Sequence, residues 1–532
     1  MAQADLVLCN GSVYTMDIAR PVADSVAIHG NRIVAAGHKD ELCSMLDSQG
    51  GTLDLEGCTV VPGFIDSHLH FAQYGMRLNS VDLYGIPTLQ EALDRIADRV
   101  TGAEPGVWIH GGGWNCNVWG DGGFPHRRDL DIVSPGNPVV LSSKDGHSTW
   151  INTRAIEMAH ITAETPDPPG GRIRRDLCGD PTGILQENAA RLIYDIVPQP
   201  ALGELVEACR QALVKAHRHG LTGIHDCEDE RAFAAFQELY RRKELTMRVL
   251  MHIPARNLDA VIALGLRDGF GDEWLRICGV KILTDGALGS RSAWMLSPYE
   301  SDPTNSGIPT LTPDALHELV HKANRAGLSV AVHAIGDAAN RAVLDAIQAS
   351  RDQALAPLRN RIEHVQLLHP DDIPRLARLG VVASMQPIHA TSDIEIADLH
   401  WGKRAATSYA WRSLLDTGAR LAFGSDAPVE DLSPLFGIHA AVTRRRPDGF
   451  PGPDGWYPEQ RITVAQAVHA YTLVAAYAGG EEKLKGSLTP GKRADLVILD
   501  QDIFRIDPMD ILHTQVLGTM VDGKFVYKGS EL

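Results

Sequence analysis

The stretch "PGFIDSHLHF" (62–71) places two histidines two residues apart, directly after an apolar run. The residues from Thr59 to Ile65 are mostly β-branched or apolar, which predicts a β-strand that leads into a polar end. Residues two apart in a strand point to the same face, so His68 and His70 are expected to share one. Two imidazoles on one face suit either a metal ion or an ordinary polar cluster, and the rest of the chain must distinguish the two.

Other polar residues also stand where predicted strands end. With the first pair they make a set of four histidines, one lysine and one aspartate: His68, His70, Lys281, His333, His364 and Asp426. Taken singly, His333 could be a core histidine, His364 an ion-paired surface group and Asp426 a helix N-cap. Lys281 differs, because a buried ammonium without a partner is costly and should be neutral or modified. The shared position at strand ends favours a metal site.

The chemistry of this set is that of a metal centre. Imidazole and carboxylate ligands suit Zn²⁺ and similar divalent ions. Water bound to such an ion deprotonates near neutral pH, which gives a nucleophile without a serine or cysteine. A second ion would polarise the bond under attack, and two ions close together need an anionic bridge. A neutral Lys281 could supply that bridge by taking up CO₂ as a carbamate. We therefore expect one or two divalent ions, with Zn²⁺ as the first choice.

The strands that carry these residues alternate with predicted helices. After the strand before His68, seven more apolar segments follow: "LTGIHDC", "TMRVLMHI", "LRICGVKILTDG", "LSVAVHAIGD", "NRIEHVQ", "GVVASMQP" and "ARLAFGSDAP". Strands that alternate with helices pair in parallel. Eight such units predict a closed barrel whose strand ends converge on one spot.

The two ends of the chain have a different pattern from the middle. Residues 1–60 and 485–532 consist of short apolar runs separated by turn signals such as "NG". Neither end alone has enough strands to bury a face, so we expect them to form one composite β-sandwich domain. Residues 61–484 would form the barrel, with an inserted segment at about 83–198 in the long interval after its first strand. The predicted fold is α/β: a (β/α)₈ TIM-like barrel with an inserted α/β segment and a small β-sandwich formed by both termini.

Composition limits the partners. Fifty basic and 67 acidic residues give a formal net charge of −17, which disfavours nucleic acid and anionic membranes as partners. No apolar stretch reaches membrane-spanning length, and no charged-then-apolar leader opens the chain. Eight scattered cysteines without a C-x-x-C motif favour reduced thiols and a cytoplasmic location. We expect a small-molecule substrate as the partner. The chain could also form a homo-oligomer.

The joint pattern resembles the metal-dependent amidohydrolase superfamily, and within it amidohydrolase family 3, the branch that includes N-substituted formamide deformylases. The matching segments cover the chain nearly end to end: "VVPGFIDSHLHF", "GGGWN", "DGHSTWINTRAI", "GVKILTDGALGSRSA", "VAVHAIGDAAN", "RIEHVQ", "MQPIHA", "LAFGSDAPV" and "GSLTPGKRADLVILD". The resemblance implies a barrel plus a composite β-sandwich, in agreement with the pattern of strands and helices.

The resemblance also implies roles for the six strand-end residues. It implies that His68, His70 and Asp426 are ligands of one ion and that His333 and His364 are ligands of a second. It also implies that Lys281 is a carboxylated bridge. It further implies that Asp426 is the general base, which takes a proton from the attacking water and passes it to the leaving nitrogen.

Four further residues are candidates for substrate contact or catalysis. Trp114 and His147 lie in the inserted segment and could cover the barrel mouth. His147 could donate a hydrogen bond to the developing oxyanion or merely cap a turn, and Trp114 could instead pack the core of the insert. Arg291 could bind a carboxylate, although an exposed loop arginine is the commoner finding. Trp401 is typical of an aromatic-lined pocket or lid.

The sequence thus predicts a metal-dependent hydrolase that cleaves a non-peptide carbon–nitrogen bond of a small molecule, an amide or an N-formyl amide, through a metal-activated water. One alternative is the same metal site acting on an ester, a cyclic amide or an aminated heterocycle. An alternative of another class is a non-catalytic binding or regulatory protein on the same fold. The complete set of six strand-end residues argues against that last alternative.

Overall fold

A parallel β-barrel carries the candidate site in the computed structural model, which describes residues 3–116, 119, 123–144, 146, 148–168, 171–351 and 357–532. Eight strands, labelled β1 to β8 in chain order, pair in parallel with their neighbours in that order. Their bounds are Phe64–Leu69 (β1), Leu221–Asp226 (β2), Arg248–Pro254 (β3), Leu275–Leu283 (β4), Val330–Ala334 (β5), Arg361–His364 (β6), Val382–Met385 (β7) and Arg420–Phe423 (β8). The predicted (β/α)₈ barrel is confirmed.

Helices connect the barrel strands, as the alternating pattern predicts. The α-helices of this part of the chain are Glu230–Arg241, Leu258–Ala263, Pro313–Arg325, Asp337–Ser350, Ile373–Leu379, Pro387–Ser392, Ile394–Trp401, Trp411–Asp416, Pro434–Thr443, Val464–Ala470 and Leu473–Ala478. The helix Pro313–Arg325 shows why they form: the Thr312 hydroxyl accepts a hydrogen bond from the Ala315 backbone, and the apolar residues Leu316 and Val320 are buried on one face.

Strands from both ends of the chain form two further sheets. In spatial order, the four-stranded sheet contains Arg32–Gly37, Ser25–His29, Ala4–Cys9 and Leu46–Asp54. The six-stranded sheet contains Lys524–Lys528, Val516–Val521, Leu496–Leu499, Thr59–Pro62, Ser12–Tyr14 and Val22–Ala23. One buried cluster includes Leu8 and Val26 of the first sheet together with Val60 and Leu496 of the second. The two sheets therefore share a core, as in a sandwich, and a short helix, Lys39–Cys43, packs against the first.

The apolar run Thr59–Ile65, which precedes His68 and His70, is divided between two sheets. The prediction of a single strand there is wrong. Thr59–Pro62 pairs with Leu496–Leu499 in the sandwich, whereas β1 begins at Phe64 and pairs with β2. Gly63 stands at the change of partner. A Cβ atom there would lie 2.3 Å from the Thr222 hydroxyl, so the Thr222 side chain occupies the space that a side chain at position 63 would need.

Residues 73–208 form a separate compact unit. Its six-stranded sheet has the order Gly171–Arg175, Pro181–Glu187, Ser148–Ile151, Val139–Ser143, Ile109–Trp114 and Val81–Asp82. Its helices are Leu89–Thr101, Arg127–Val133, Thr153–Met158 and Arg191–Tyr194, while Phe71–Leu78 and Leu202–Arg218 span its limits. The predicted α/β character of the insert is confirmed, and the domain boundaries proposed from the sequence stay predictions. Within the described ranges, no helix is both long enough and apolar enough to cross a membrane.

Candidate metal centre

The carboxyl ends of β1 and β8 are fastened to each other by polar contacts. The Asp66 carboxylate accepts hydrogen bonds from the backbone N–H and the hydroxyl of Ser425, at 3.1 and 2.5 Å. The backbone N–H of Asp426 donates to the carbonyl oxygen of His68 at 2.7 Å. These contacts fix the loop after β8 against the end of β1, which brings the Asp426 side chain to the two neighbouring histidines.

A first cluster joins the histidine pair to this aspartate. The Nε2 atoms of His68 and His70 lie 3.4 and 3.3 Å from Oδ1 of Asp426. One ligand atom from each residue lies within 4.8 Å of the other two. The His68 side chain is 1% exposed and that of His70 is 26% exposed, so one side of the cluster is sealed and the other opens outward.

A second cluster uses the same carboxylate. Ligand atoms of His364, His389 and Asp426 also lie within 4.8 Å of one another. The His364 ring lies beside that of His333, with 4.6 Å between the ring centroids. Nδ1 of His364 is 2.8 Å from the amide oxygen of Gln386, which can only accept a hydrogen bond. His364 therefore carries its proton on Nδ1 and presents the lone pair on Nε2.

Lys281 and His333 lie at the ends of β4 and β5. Lys281 Nζ is 3.5 Å from Nε2 of His68, and it forms no ion pair with a carboxylate in the part of the chain that the structure describes. His333 Nε2 is 3.1 Å from the carbonyl oxygen of Gly286 and 3.3 Å from Oδ1 of Asp285. Because both oxygens accept, Nε2 of His333 carries the proton and Nδ1 carries the lone pair.

Two residues of the site, His364 and Asp426, have both an unusual backbone conformation and a shifted pKa. His364 and Asp426 have φ values of 74° and 58°, a left-handed conformation that costs energy outside glycine and concentrates at functional sites. Burial would raise the pKa of Asp426, but the hydrogen bond from His389 and the nearby imidazoles of His68 and His70 outweigh it and hold that pKa well below its usual range. Burial, and next the neighbouring imidazoles, keep the pKa of His364 well below its usual value. The site thus offers a buried carboxylate and a neutral imidazole.

His389 is a member of this site that sequence reasoning missed. It lies in the short helix Pro387–Ser392 directly after β7, with Nε2 3.2 Å from Oδ2 of Asp426 and Nδ1 3.7 Å from Glu430. Burial opposes its charge, but hydrogen bonds to the two carboxylates raise the pKa of His389 to about 10. The signal was its place four residues after a strand end, in "MQPIHA".

Two candidate residues belong to the inserted unit. Trp114 is 1% exposed and packs against Trp119 and Trp150, and its indole N–H donates to the carbonyl oxygen of Leu141 at 2.9 Å. These contacts make Trp114 part of the core of that unit. His147 lies outside the described residues.

The other two candidates lie on the barrel loops. Arg291 is exposed on the connection after β4 and has a φ of 56°. Trp401 ends the helix Ile394–Trp401 and is fully buried. Contact of the Trp401 ring with a substrate would therefore require the ring to be uncovered.

The donor set fits a divalent cation. In two buried imidazoles, those of His68 and His364, Nδ1 is directed to a neighbouring acceptor, so Nε2 is the ring atom left for an ion. Nδ1 of His70 is buried and has no hydrogen-bond partner among the described atoms. The ionised Asp426 carboxylate lies between the histidines, and nitrogen and oxygen donors around one carboxylate are what such ions bind.

A (β/α)₈ barrel with histidines and an aspartate gathered at its strand ends defines a metal-dependent hydrolase. Comparison with known proteins agrees: residues 51–527 match the model of the amidohydrolase family. The chain belongs to that family.

Its relatives extend over the whole chain. It is 37% identical to Protein LONG AFTER FAR-RED 3 of Arabidopsis thaliana, over 98% of this chain and 92% of that one. It is 30% identical to the N-substituted formamide deformylase of Arthrobacter pascens, over 98% of each chain. Among solved structures, it is similar to an uncharacterized metal-dependent hydrolase from Pyrococcus furiosus, with a TM-score of 0.77 and 30% identity over 94% of this chain and 100% of that one.

Proposed function

We propose that the protein hydrolyses a non-peptide amide bond of a small molecule, with N-formyl amides as the first class of substrate. The observation that carries the proposal is the convergence of His68, His70 and Asp426, whose ligand atoms lie within 4.8 Å of one another at the strand ends. Similarity to the N-substituted formamide deformylase over almost the entire chain supports the choice of substrate class.

The ion-holding roles are assigned by position. His68, His70 and Asp426 would hold one divalent ion, and His333 with His364 would hold a second. Zn²⁺ is the first choice because its preferred ligands are imidazole nitrogen and carboxylate oxygen. Such an ion supplies Lewis acidity and lowers the pKa of water.

Lys281 is assigned the anionic bridge. Its Nζ lies 3.5 Å from Nε2 of His68, and within the described residues it forms no ion pair with a carboxylate. A neutral amine that takes up CO₂ becomes a carbamate, which has the charge and the two oxygens that a bridge between cations requires.

Asp426 moves the proton. Its carboxylate accepts a proton from water as the water oxygen forms a bond with the carbonyl carbon of the amide. It then gives that proton to the amide nitrogen as the carbon–nitrogen bond breaks, which releases an amine and a carboxylic acid, formic acid in the case of an N-formyl amide. The ionised state of Asp426 is the one that this step needs.

Substrate contacts complete the proposal. His147 would donate a hydrogen bond to the oxyanion, and Arg291 would attract an anionic part of the substrate from its exposed loop. Trp401 would shape the pocket, provided that its buried ring becomes accessible, whereas Trp114 packs the core of the inserted unit. We also propose a small-molecule substrate as the partner, without nucleic acid or membrane, and a cytoplasmic location.

An activity screen tests the function. Protein reconstituted with Zn²⁺ or Mn²⁺ in the presence of bicarbonate is offered matched N-formyl amines, acyl amides, cyclic amides and esters, and release of amine or acid is measured. We expect the N-formyl amines to be hydrolysed with the highest kcat/KM. Hydrolysis confined to esters or cyclic amides would reject the substrate class. Metal-loaded protein that hydrolyses none of them would favour a binding role on this fold.

A further inference from the structure

A buried ion pair lies inside the barrel, beneath the metal centre. Arg361 and Glu363 are both on β6, and their side chains are 1% and 0% exposed. Nε of Arg361 donates to Oε1 of Glu363 at 2.5 Å, and Nη2 donates to Oε2 at 3.0 Å. Two parallel hydrogen bonds between guanidinium and carboxylate fix both groups in one plane.

Arg361 is also held from the neighbouring strands. Its Nη2 also donates to the carbonyl oxygen of Ser67 on β1 and to the hydroxyl of Ser384 on β7, the latter at 2.6 Å, so the two hydrogens of Nη2 are shared among three acceptors. Its Nη1 lies 2.9 Å from Nδ1 of His225 on β2, which must accept because a guanidinium can only donate. Three strands besides β6 therefore set the orientation of the guanidinium, and the carboxylate of Glu363 follows it.

Glu363 passes this orientation to a candidate ligand. Its Oε2 lies 2.6 Å from Nδ1 of His68. Because both carboxylate oxygens already accept from Arg361, this oxygen is an acceptor here as well, so His68 must carry its proton on Nδ1. Nε2 is then the ring nitrogen left to bind an ion, and it faces Oδ1 of Asp426 at 3.4 Å and Nζ of Lys281 at 3.5 Å.

The competing neighbour of His68 is weaker. Sγ of Cys227 lies 3.5 Å from the same Nδ1. A thiol is a poor hydrogen-bond partner, and the carboxylate contact is 0.9 Å shorter, the difference between 3.5 and 2.6 Å. Glu363 is therefore the acceptor that holds the Nδ1 proton of His68.

We propose that Glu363, oriented by Arg361, is a positioning residue that holds His68 in the Nδ1–H tautomer and so presents Nε2 to a divalent ion. The proposal rests on the proposed function, in which His68 is a metal ligand. A carboxylate that accepts the second ring proton of a ligating histidine fixes the ring and strengthens it as a ligand. Neither the sequence pattern nor the family resemblance assigned a role to Arg361 or Glu363.

Two double variants distinguish a positioning role of Glu363 from a role in packing alone. Both replace the guanidinium, so neither leaves an unpaired charge: Arg361→Met/Glu363→Gln keeps an oxygen that can accept from His68 Nδ1, whereas Arg361→Met/Glu363→Met has none. The dissociation constant for Zn²⁺ is measured by competition with a chromophoric chelator, and the d–d spectrum of the Co²⁺-loaded protein reports the ligand geometry. We expect the glutamine variant to bind Zn²⁺ about 10- to 100-fold more tightly than the methionine variant.

Controls keep the outcomes distinct. Arg359 and Glu482 form a similar two-bond pair, with N–O distances of 2.5 and 2.7 Å, but their side chains are about a quarter exposed. Arg359→Met/Glu482→Gln should leave the Zn²⁺ affinity of the native protein unchanged. Equal affinities of the two Arg361 double variants, with native-like thermal unfolding, would overturn the positioning role. If His68→Ala bound Zn²⁺ as tightly as the native protein, the metal assignment in the proposed function would fail instead.

Discussion

The inner and outer halves of the metal centre are built in different ways. On the inner side, His68 is 1% exposed, and a carboxylate fixes its Nδ1 proton at 2.6 Å. On the outer side, His70 is 26% exposed, and its Nδ1 has no hydrogen-bond partner in the described ranges. The barrel interior thus preorganises one half, while the half where a substrate must enter keeps freedom to adjust. Residues that belong to one half or to both offer ways to test this difference.

The largest effect is expected at Asp426, which joins the two halves. Asp426→Asn keeps an oxygen near the histidines but removes the carboxylate that accepts the proton. We expect kcat to fall by about 10²- to 10⁴-fold, the usual contribution of a general base, while bound metal is retained. Steady-state kinetics and elemental analysis of the same preparation measure both quantities. Near-normal turnover would remove Asp426 as the proton carrier.

The next effect concerns the proposed bridge between the halves. Lys281→Ala removes the amine that lies 3.5 Å from His68 Nε2, and with it the anion that a carbamate would place between two ions. We expect lower metal occupancy and lower activity, with partial recovery when short carboxylic acids such as formate or acetate are added. Metal stoichiometry is measured with and without the acid. Unchanged stoichiometry in the variant would reject the bridge.

A pair of histidine variants compares the halves directly. His68→Ala deprives the buried Glu363 of a donor, which should lower the free energy of unfolding of the metal-free protein by about 1–3 kcal/mol. His70→Ala should lower it less, because the Nδ1 atom of His70 makes no hydrogen bond within the described structure. Urea denaturation of the two metal-free variants measures the difference. Equal losses would show that the inner half is not the more rigidly held one.

Much of the site could be predicted from the sequence because β-strand periodicity is simple. His68, His333 and Asp426 each stand at the end of an apolar run, and parallel strands bring such ends to one rim. The interior of the barrel was harder to predict. Arg361 and Glu363 lie two apart in the segment "RIEH", where charged residues are more typical of a surface, yet both are buried. Only the closure of the barrel shows that they face each other and His68.

The division of the run from Thr59 to Ile65 could not be predicted for a similar reason. The residues on both sides of Gly63 are apolar and suit a buried strand, so nothing local marks a change of sheet. The change is set by contacts distant in sequence: Gly63 N–H donates to the carbonyl oxygen of Asp495, whereas Phe64 N–H donates to that of Gly220. His389 was missed because the helix that carries it begins directly after β7, beyond the strand pattern.

The smallest effect is expected for a variant in the inserted unit. The described contacts of Trp114 all lie within that unit. Trp114→Phe keeps an aromatic ring beside Trp119 and Trp150 but removes the hydrogen bond to the Leu141 carbonyl oxygen. Loss of that bond should destabilise the unit by about 0.5–1.5 kcal/mol, which hydrogen exchange of its strands can measure, and should leave Zn²⁺ affinity unchanged. A changed ratio of KM values for two amides, without a change in exchange, would instead mean that the indole meets the substrate. Because Trp114 is 1% exposed, we expect the stability effect.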